Sequence, residues 1–381
     1  MIYFDVNATA PLCEAARTVW LAANAEHWAN PSSPYASATR VRIYLNQARE
    51  HFSGLLGCSP ELLVFNSGAT EGNNSLFTYF RQIYPDKGRV AVSAVEHPCV
   101  LEAARYRFGK RCDVVPVTSQ GVLDLEVLEQ KLRTGNYILV SVMAANNETG
   151  ILQPWLEAMN LCREHGVPFH CDASQWVGKL PANRLGTCDF VTGCAHKFGG
   201  PKGVGFLKVA ADYDGFKTLL GGEQEGGRRA GTEDYPGIAA MLAALKLRES
   251  QITPDFLKKA TRARDAFQLS ILERIPGVTV VGNSAPRLWN TLSLIMPTHE
   301  NLRWVQLIDK RGFALSTGSA CSTGKEGPSH VLAAMGLTPE AIRRVVRISG
   351  AWETKDSEWE ALSDAFLSVN ETLGKDRPLH Y

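Results

Sequence analysis

Phe190-Val-Thr-Gly-Cys194-Ala-His-Lys197-Phe-Gly-Gly200-Pro-Lys-Gly203-Val-Gly-Phe-Leu-Lys-Val209 reads as two apolar runs, Phe190 to Thr192 and Val204 to Val209, joined by a glycine-rich turn that carries Lys197. Short β-branched or aromatic runs bounded by glycine and proline are strand signals, so Lys197 stands just past a strand end. Moving outward between about residue 60 and residue 210, Leu62 to Phe65, Arg89 to Ala94, Val114 to Val117, Tyr137 to Ala144 and Pro168 to Asp172 alternate with amphipathic stretches. That alternation predicts an α/β fold with a mostly parallel, helix-covered sheet. In such sheets ligands gather where strands end and helices begin, which directs attention to the residues just after each run.

Past this region the texture changes. Gly221-Gly-Glu-Gln-Glu-Gly-Gly-Arg-Arg-Ala-Gly231 is too rich in glycine for a regular element and too charged to be buried, and reads as a functional loop or linker. A helical stretch from Pro236 to Ile275 follows. Val278 to Val281, Thr291 to Ile295 and Val345 to Ile348 then predict a second, smaller α/β portion. Two domains sharing a cleft are the expectation for 381 residues.

A formal net charge of +1 gives no electrostatic argument for nucleic acid or a membrane surface, so small-molecule chemistry is the starting expectation. The nine cysteines are odd in number and contain no Cys-x-x-Cys pair, which argues against a disulfide framework and a thiolate zinc site. Met1 to Asp5 shows no basic stretch followed by an apolar run, and no uncharged apolar segment is long enough to span a bilayer. A reducing cytoplasm is the expected setting.

Several residues after strand ends have the chemistry of a site. Lys197 in its glycine-rich turn could be a Schiff-base nucleophile, or a solvated loop lysine, the commoner fate of a lone lysine. Asn66-Ser-Gly-Ala69-Thr70-Glu71 precedes a helix, where backbone N–H groups and the Thr70 hydroxyl can hold a phosphate, although the same letters also spell an ordinary N-cap. Asp172 ends a run that should be largely buried, so its carboxylate needs either a cation such as a protonated pyridine nitrogen or a helix to cap. Gln175 lies one turn further on. His97, after the strand Arg89 to Ala94, could stack on an aromatic cofactor, but each of these two alone is more often structural. Cys321 lies in a run of small residues, Ser316 to Gly324, which suggests an exposed, mobile thiol. Arg347 lies in an apolar run, and a buried guanidinium requires a carboxylate from a substrate or from an internal salt bridge.

In order along the chain, Asn66 to Thr70, Glu96-His97, Asn146-Asn-Glu-Thr-Gly150, Asp172-Ala-Ser-Gln175, His196-Lys197, Arg229-Ala-Gly-Thr232, Ser319-Ala-Cys321 and Arg347 resemble the motifs of cysteine desulfurases of the NifS/IscS type, within the class V aminotransferases. The resemblance covers nearly the whole chain. It implies the fold type I of pyridoxal-phosphate (PLP) enzymes, with residues 13–252 as a large cofactor-binding domain and residues 1–12 and 253–381 as a small domain carrying the cysteine loop. It also implies that Lys197 holds PLP as a Schiff base, Asp172 faces the ring nitrogen, Gln175 contacts the phenolic oxygen and His97 stacks on the ring and assists catalysis. Ala69, Thr70, Cys194 and His196 would lie at the phosphate, joined by Thr232 from the partner subunit of a homodimer. Asn147 would touch the cofactor and, with Arg347, take the carboxylate of L-cysteine. Cys321 would take the sulfur as a persulfide for an acceptor protein, releasing alanine, as in iron–sulfur cluster assembly.

Three positions depart from the family pattern: Cys194 stands where a phosphate-binding serine is usual, Tyr35 where a histidine is usual, and Asp376 to Tyr381 does not match the segment that docks an iron–sulfur scaffold. The competing readings are a selenocysteine lyase or another class V aminotransferase-like PLP enzyme, in which Cys321 is incidental, and an inactive member that serves as a binding partner.

Overall fold

The computed structural model describes residues 1–318 and 328–375. All seven early runs form strands of one sheet, in the spatial order Leu63–Asn66, Gly205–Val209, Phe190–Cys194, Phe169–Asp172, Tyr137–Ser141, Arg89–Ser93 and Cys112–Val115. Gly205–Val209 runs antiparallel to both its neighbours, and the other pairings are parallel. Leu63–Asn66, Phe169–Asp172, Phe190–Cys194 and Gly205–Val209 are buried at every residue. Helices on both faces account for this, and they explain why the runs are continuously apolar rather than alternating.

One core cluster contains Phe52, Phe65, Val140, Phe169, Phe198, Phe206 and Met241, and another contains Phe77, Phe80, Val92, Leu139, Phe190 and Leu207. The two clusters draw alternate residues from the same strands, Phe206 with Leu207 and Val140 with Leu139, because successive side chains of a strand point to opposite faces.

The later runs form a separate antiparallel sheet in which Thr291–Ile295 is central, between Val345–Ser349 and Thr279–Val280. Helices Pro254–Arg274, Asn301–Asp309 and Asp356–Lys375 cover it around Phe267, Trp304, Trp359 and Phe366. The first residues of the chain join this core. Ile2–Tyr3 pairs in parallel with Phe313–Ala314, and Phe4 packs edge-on to Trp359 with ring centroids 4.7 Å apart. No helix among the described residues is long and apolar enough to cross a membrane.

Two sequence expectations need correction. The predicted helical stretch Pro236 to Ile275 is two helices, Tyr235–Gln251 and Pro254–Arg274. The break comes where the Thr253 hydroxyl caps the second helix by accepting from Phe256 N at 3.1 Å, with Pro254 at its first position, where proline's missing N–H costs nothing. The Gly221 to Gly231 stretch is not wholly exposed either, because Glu225 is buried at 5% exposure. Its carboxylate pairs with both terminal nitrogens of Arg49 at 2.7 Å and accepts from Phe65 N at 2.8 Å. Charge density alone misleads there, since a carboxylate with a bidentate guanidinium and a backbone donor is fully satisfied in the interior.

Glu225 also holds a positive φ of 52°, a conformation that a side chain adopts at some cost, so the ion pair has to hold the loop in place. Replacing Glu225 by Ala takes the carboxylate from a half-buried Arg49 and the acceptor from the buried Phe65 N–H, and is expected to cost about 2 to 4 kcal/mol. Urea denaturation should show that loss; a change below about 1 kcal/mol would mean that the loop is held by other contacts.

Candidate active site

Lys197 lies in the short turn Ala195–Lys197, directly after the strand Phe190–Cys194. Arg248, 2% exposed, holds the turn from behind: its Nε donates to Phe198 O at 3.1 Å, its Nη1 pairs with Glu353 at 2.5 Å, and its guanidinium lies 4.0 Å from the Trp352 ring centroid. The Lys197 amine is part-buried and donates to two backbone carbonyls, Asn7 O at 2.7 Å and Ala8 O at 2.8 Å. Burial, reinforced by Arg347, brings its pKa below the ordinary lysine value, which Cys194 and Asp172 oppose. A lysine so held has a larger neutral, nucleophilic fraction than one in water.

The amine opens onto a cavity of about 490 Å³ whose lining includes Ala69, Thr70, His97, Asn147, Asp172, Gln175, Cys194, His196 and Lys197. These residues come from the ends of different strands and the turns after them, so the topology gathers most of the predicted set in one place. Ala8, Thr9, Ser67, Gly68, Cys99, Met143 and Lys202 line it too.

Asp172 ends the strand Phe169–Asp172 at 4% exposure. Oδ1 accepts from Ser174 N and Oδ2 from Asn73 Nδ2, both at 2.9 Å. Behind Asn73 runs a chain of buried groups: Thr192 Oγ1 donates to Asn73 Oδ1 at 2.7 Å, His170 Nε2 lies 3.1 Å from Thr192 Oγ1, and Ser141 Oγ lies 2.8 Å from His170 Nδ1. Thr192 spends its only hydrogen on Asn73, so it accepts from His170 Nε2–H, and neutral His170 then accepts from Ser141. Every donor points towards the Asp172 carboxylate, which fixes the orientation of a negative charge in the cavity wall.

At the start of helix Ala69–Ile83 the expected side-chain cap is missing; the N-cap is Gly68, with φ 145° and ψ 175°. A side chain is excluded next door as well, because a Cβ on Gly205 would lie 2.5 Å from Gly68 Cα. Asn66 Oδ1 accepts from Gly68 N and Glu71 Oε2 from Ser67 N, both at 2.9 Å, while the N-cap itself offers no side chain to the first turn, whose amides and positive macrodipole end suit an anion. Glu71, in its first turn, has its charge taken up by Arg229 at 2.9 and 3.1 Å. Cys194 is buried against the Ala69 amide, and burial raises its thiol to about 11, so its neutral sulfur is a weak acceptor for that N–H. His196 contacts Thr9 Oγ1 at 3.2 Å, and burial together with Lys197 lowers its pKa to about 4.

His97 caps helix Pro98–Phe108, its Nδ1 accepting from Cys99 N at 3.2 Å. That leaves the ring proton on Nε2. The residue is exposed at the rim, yet the surrounding protein, and Lys197, favour its neutral form.

Three predicted residues stand apart from the cavity. Thr232 is exposed and lines a smaller cavity of about 160 Å³ with Asn66, Ser67 and Arg229. Arg347 is fully buried and makes the internal salt bridge, with Nη2 2.5 Å from Asp5 Oδ1, while Nη1 donates to Asn147 O at 3.1 Å and Gly318 O at 3.0 Å. Its buried Nε has no hydrogen-bond partner among the described residues. Cys321 lies outside the described residues, as does the 376–381 tail, but the chain on both sides of the cysteine segment is anchored: Gly318 by Arg347, and Ser329 by its bond to Glu148 Oε2 at 2.6 Å. Tyr35 is exposed at the N-cap of helix Ala36–Leu56 and is not part of the cavity lining.

Residues 2–362 match the Aminotransferase class-V family. This chain belongs to that family. A cysteine desulfurase from Nostoc sp. (strain PCC 7120 / SAG 25.82 / UTEX 2576) is 36% identical over 376 residues, covering 98% of this chain and 94% of that protein. A solved NifS-like protein superimposes with a TM-score of 0.88 at 28% identity, covering 98% of this chain and 99% of the other. The structure of SspA in complex with cysteine gives 0.78 at 28% identity, covering 92% and 98%.

For a class-V aminotransferase the sequence reading omitted three residues that the structure makes central. Asn73 falls on the apolar face of its helix with Leu76, Phe77 and Phe80, and a polar residue in such a stripe is a readable signal. Lys179, between Gly178 and Leu180, is a charge in an apolar run. Asn7 carries no local signal at all.

The donor chain behind Asp172 requires neutral His170, and burial lowers that imidazole from 6.5 to about 4. A histidine with a lowered folded-state pKa gives stability that is complete above the unfolded value and is lost as pH falls through the folded one. Stability should therefore fall from pH 6.5 towards about 4, with His170 contributing on the order of 3 kcal/mol. His170→Gln should flatten part of that slope in denaturation curves taken across the window, and an unchanged slope would contradict a neutral, buried His170.

Proposed function

We propose that this chain is a PLP-dependent cysteine desulfurase that converts L-cysteine to L-alanine and leaves a persulfide on Cys321 for transfer to an acceptor protein. The observation that carries the reading is Lys197: an amine bonded, among the described residues, to backbone carbonyls only, opening on the same cavity as the buried carboxylate of Asp172 and a helix N-terminus without a side-chain N-cap. An aldehyde, a pyridine nitrogen and a phosphate on one small molecule answer those three features in turn. The match to cysteine desulfurases over 98% of the chain, and a related fold solved with cysteine, support the substrate.

Bound PLP supplies an aldehyde for lysine and a ring that draws electron density away from the substrate. Asp172, its rotamer held by Asn73 and Ser174, would face the ring nitrogen and favour its protonated form. Ala69, Thr70, His196 and the neutral Cys194 thiol would surround the phosphate, and Thr232 of the second subunit of a homodimer would complete its site. Gln175 would donate to the phenolic oxygen, and neutral His97 would stack on the ring face. Asn147, in the cavity lining, and Arg347 would receive the substrate carboxylate; Arg347 is paired with Asp5 outside that lining, so its part would require the guanidinium to move out of this pair. Lys197 would be the group that moves the proton at the substrate's α-carbon.

Cys321 attacks the substrate sulfur as a thiolate. The new S–S bond forms as the C–S bond breaks, the electron pair stays with the carbon side, and protonation there gives alanine. A free thiol's pKa of about 8.5 means that a proton acceptor must serve this step. We assign residues 13–252 to the cofactor-binding domain and residues 1–12 and 253–381 to the domain that carries the cysteine, with the enzyme working in the cytoplasm.

Cys321→Ser should abolish alanine release from cysteine while leaving the visible absorption of the lysine-bound cofactor intact, whereas Lys197→Ala should remove both. Alanine production surviving in Cys321→Ser would refute the assigned role and favour a lyase of the same family. Purified wild type that stays colourless with added PLP would refute the cofactor.

A further inference from the structure

Lys179 is the least expected group in the structure: a lysine with 0% exposure for which no carboxylate partner is found among the described residues. Burying an amine without a counter-ion is costly, so its position calls for a reason. Its backbone is pinned on both sides. Trp289 Nε1 donates to Lys179 O and Trp352 Nε1 to Gly178 O, both at 2.8 Å, and the two indoles pack against each other at 5.9 Å. The amine then meets two acceptors, Asn7 Oδ1 at 2.7 Å and Gln175 Oε1.

We propose that Lys179 is a positioning residue that sets which end of the Gln175 carboxamide acts on the cofactor. Gln175 can present either an oxygen or an N–H₂ to the cavity, and the two ends are nearly equal in shape. With Oε1 taken by Lys179, the flipped rotamer would set Nε2 donors against an amine donor. The remaining end is fixed: Nε2 spends one hydrogen on Asn7 O at 2.9 Å and keeps a second. Asn7 is locked in turn, accepting from Lys179 through Oδ1 while its own Nδ2 donates to Thr291 Oγ1 at 2.9 Å and Asn147 O at 3.1 Å. Its carbonyl also receives the Lys197 amine, so one buried asparagine sets both the lysine and the glutamine of the site.

Burial moves Lys179 well below the ordinary lysine value, with Lys197 and Arg347 pushing the same way. The amine donates to both oxygens it meets, Asn7 Oδ1 and Gln175 Oε1, which leaves the Nε2 end of Gln175 as the donor for the cavity.

This inference rests on the PLP reading above. A donor to the phenolate stabilises the deprotonated Schiff base, so losing it should raise the pH at which the visible band titrates, by about one unit. The test is that titration in PLP-loaded wild type, Lys179→Met, Gln175→Ala and the double variant. Lys179→Met and Gln175→Ala are expected to shift it upward to a similar extent, and the double variant no further than Gln175→Ala alone, because both act through one contact. An unchanged Lys179→Met titration, or additive shifts, overturns the inference while leaving the cofactor reading intact; a wild type with no visible band removes both. If Lys179→Met does not fold, the crystal structure of the loaded wild type decides. Gln175 Nε2 should lie against the phenolic oxygen and Oε1 against Lys179, and the reverse orientation overturns the proposal.

Discussion

The constraint on which the rest of this structure depends is the placement of one lysine amine at a strand end, in protein surroundings that satisfy its hydrogen bonds without giving it a counter-ion. Backbone carbonyls of Asn7 and Ala8 accept from Lys197, and Arg248, Glu353 and Trp352 hold its turn. A carboxylate at hydrogen-bonding distance would have kept the amine protonated and fixed. The acid the site does contain, Asp172, is engaged by Asn73 and Ser174 instead, leaving lysine and acid as separate walls of one cavity. That separation allows a small aromatic aldehyde to meet both.

Around this pair the molecule uses neutral hydrogen-bond networks in place of further charges. His170 and Cys194 are buried in their uncharged forms, and Lys179 is pushed in that direction, each with its hydrogens directed to a specific acceptor. In a low-dielectric interior such networks fix geometry well, because a misdirected donor is left unsatisfied at a cost of about 1 to 3 kcal/mol. Glu225 is instead paired with Arg49, and Arg347 with Asp5. These two pairs tie distant segments together, the glycine-rich loop to helix Ala36–Leu56 and the N-terminus to the second sheet.

The N-terminal segment is the least anticipated part of the site. Ile2–Tyr3 adds a strand beside Phe313–Ala314, Asp5 meets Arg347, and Asn7 and Ala8 reach the catalytic-lysine candidate. Movement of the second core relative to the first would therefore be felt at Lys197 through Asn7, which also bonds to Ser349 and Thr291 in the second sheet.

The sequence by itself determined the seven strands of the main sheet, their helical connections and the strand-end positions of Lys197, Asp172 and His97, because hydrophobic period and glycine punctuation are local signals. It also carried the ordered motifs that mark the family. Only the tertiary structure decided that Arg347 spends its charge on Asp5, that Glu225 lies in the interior, and that Asn7, Asn73 and Lys179 belong to the site. Those outcomes depend on pairings between residues between 99 and 342 positions apart, such as Asn73 with Asp172 and Asp5 with Arg347. A buried polar group is stable only if a partner arrives from elsewhere in the fold, and no local pattern specifies which partner that will be.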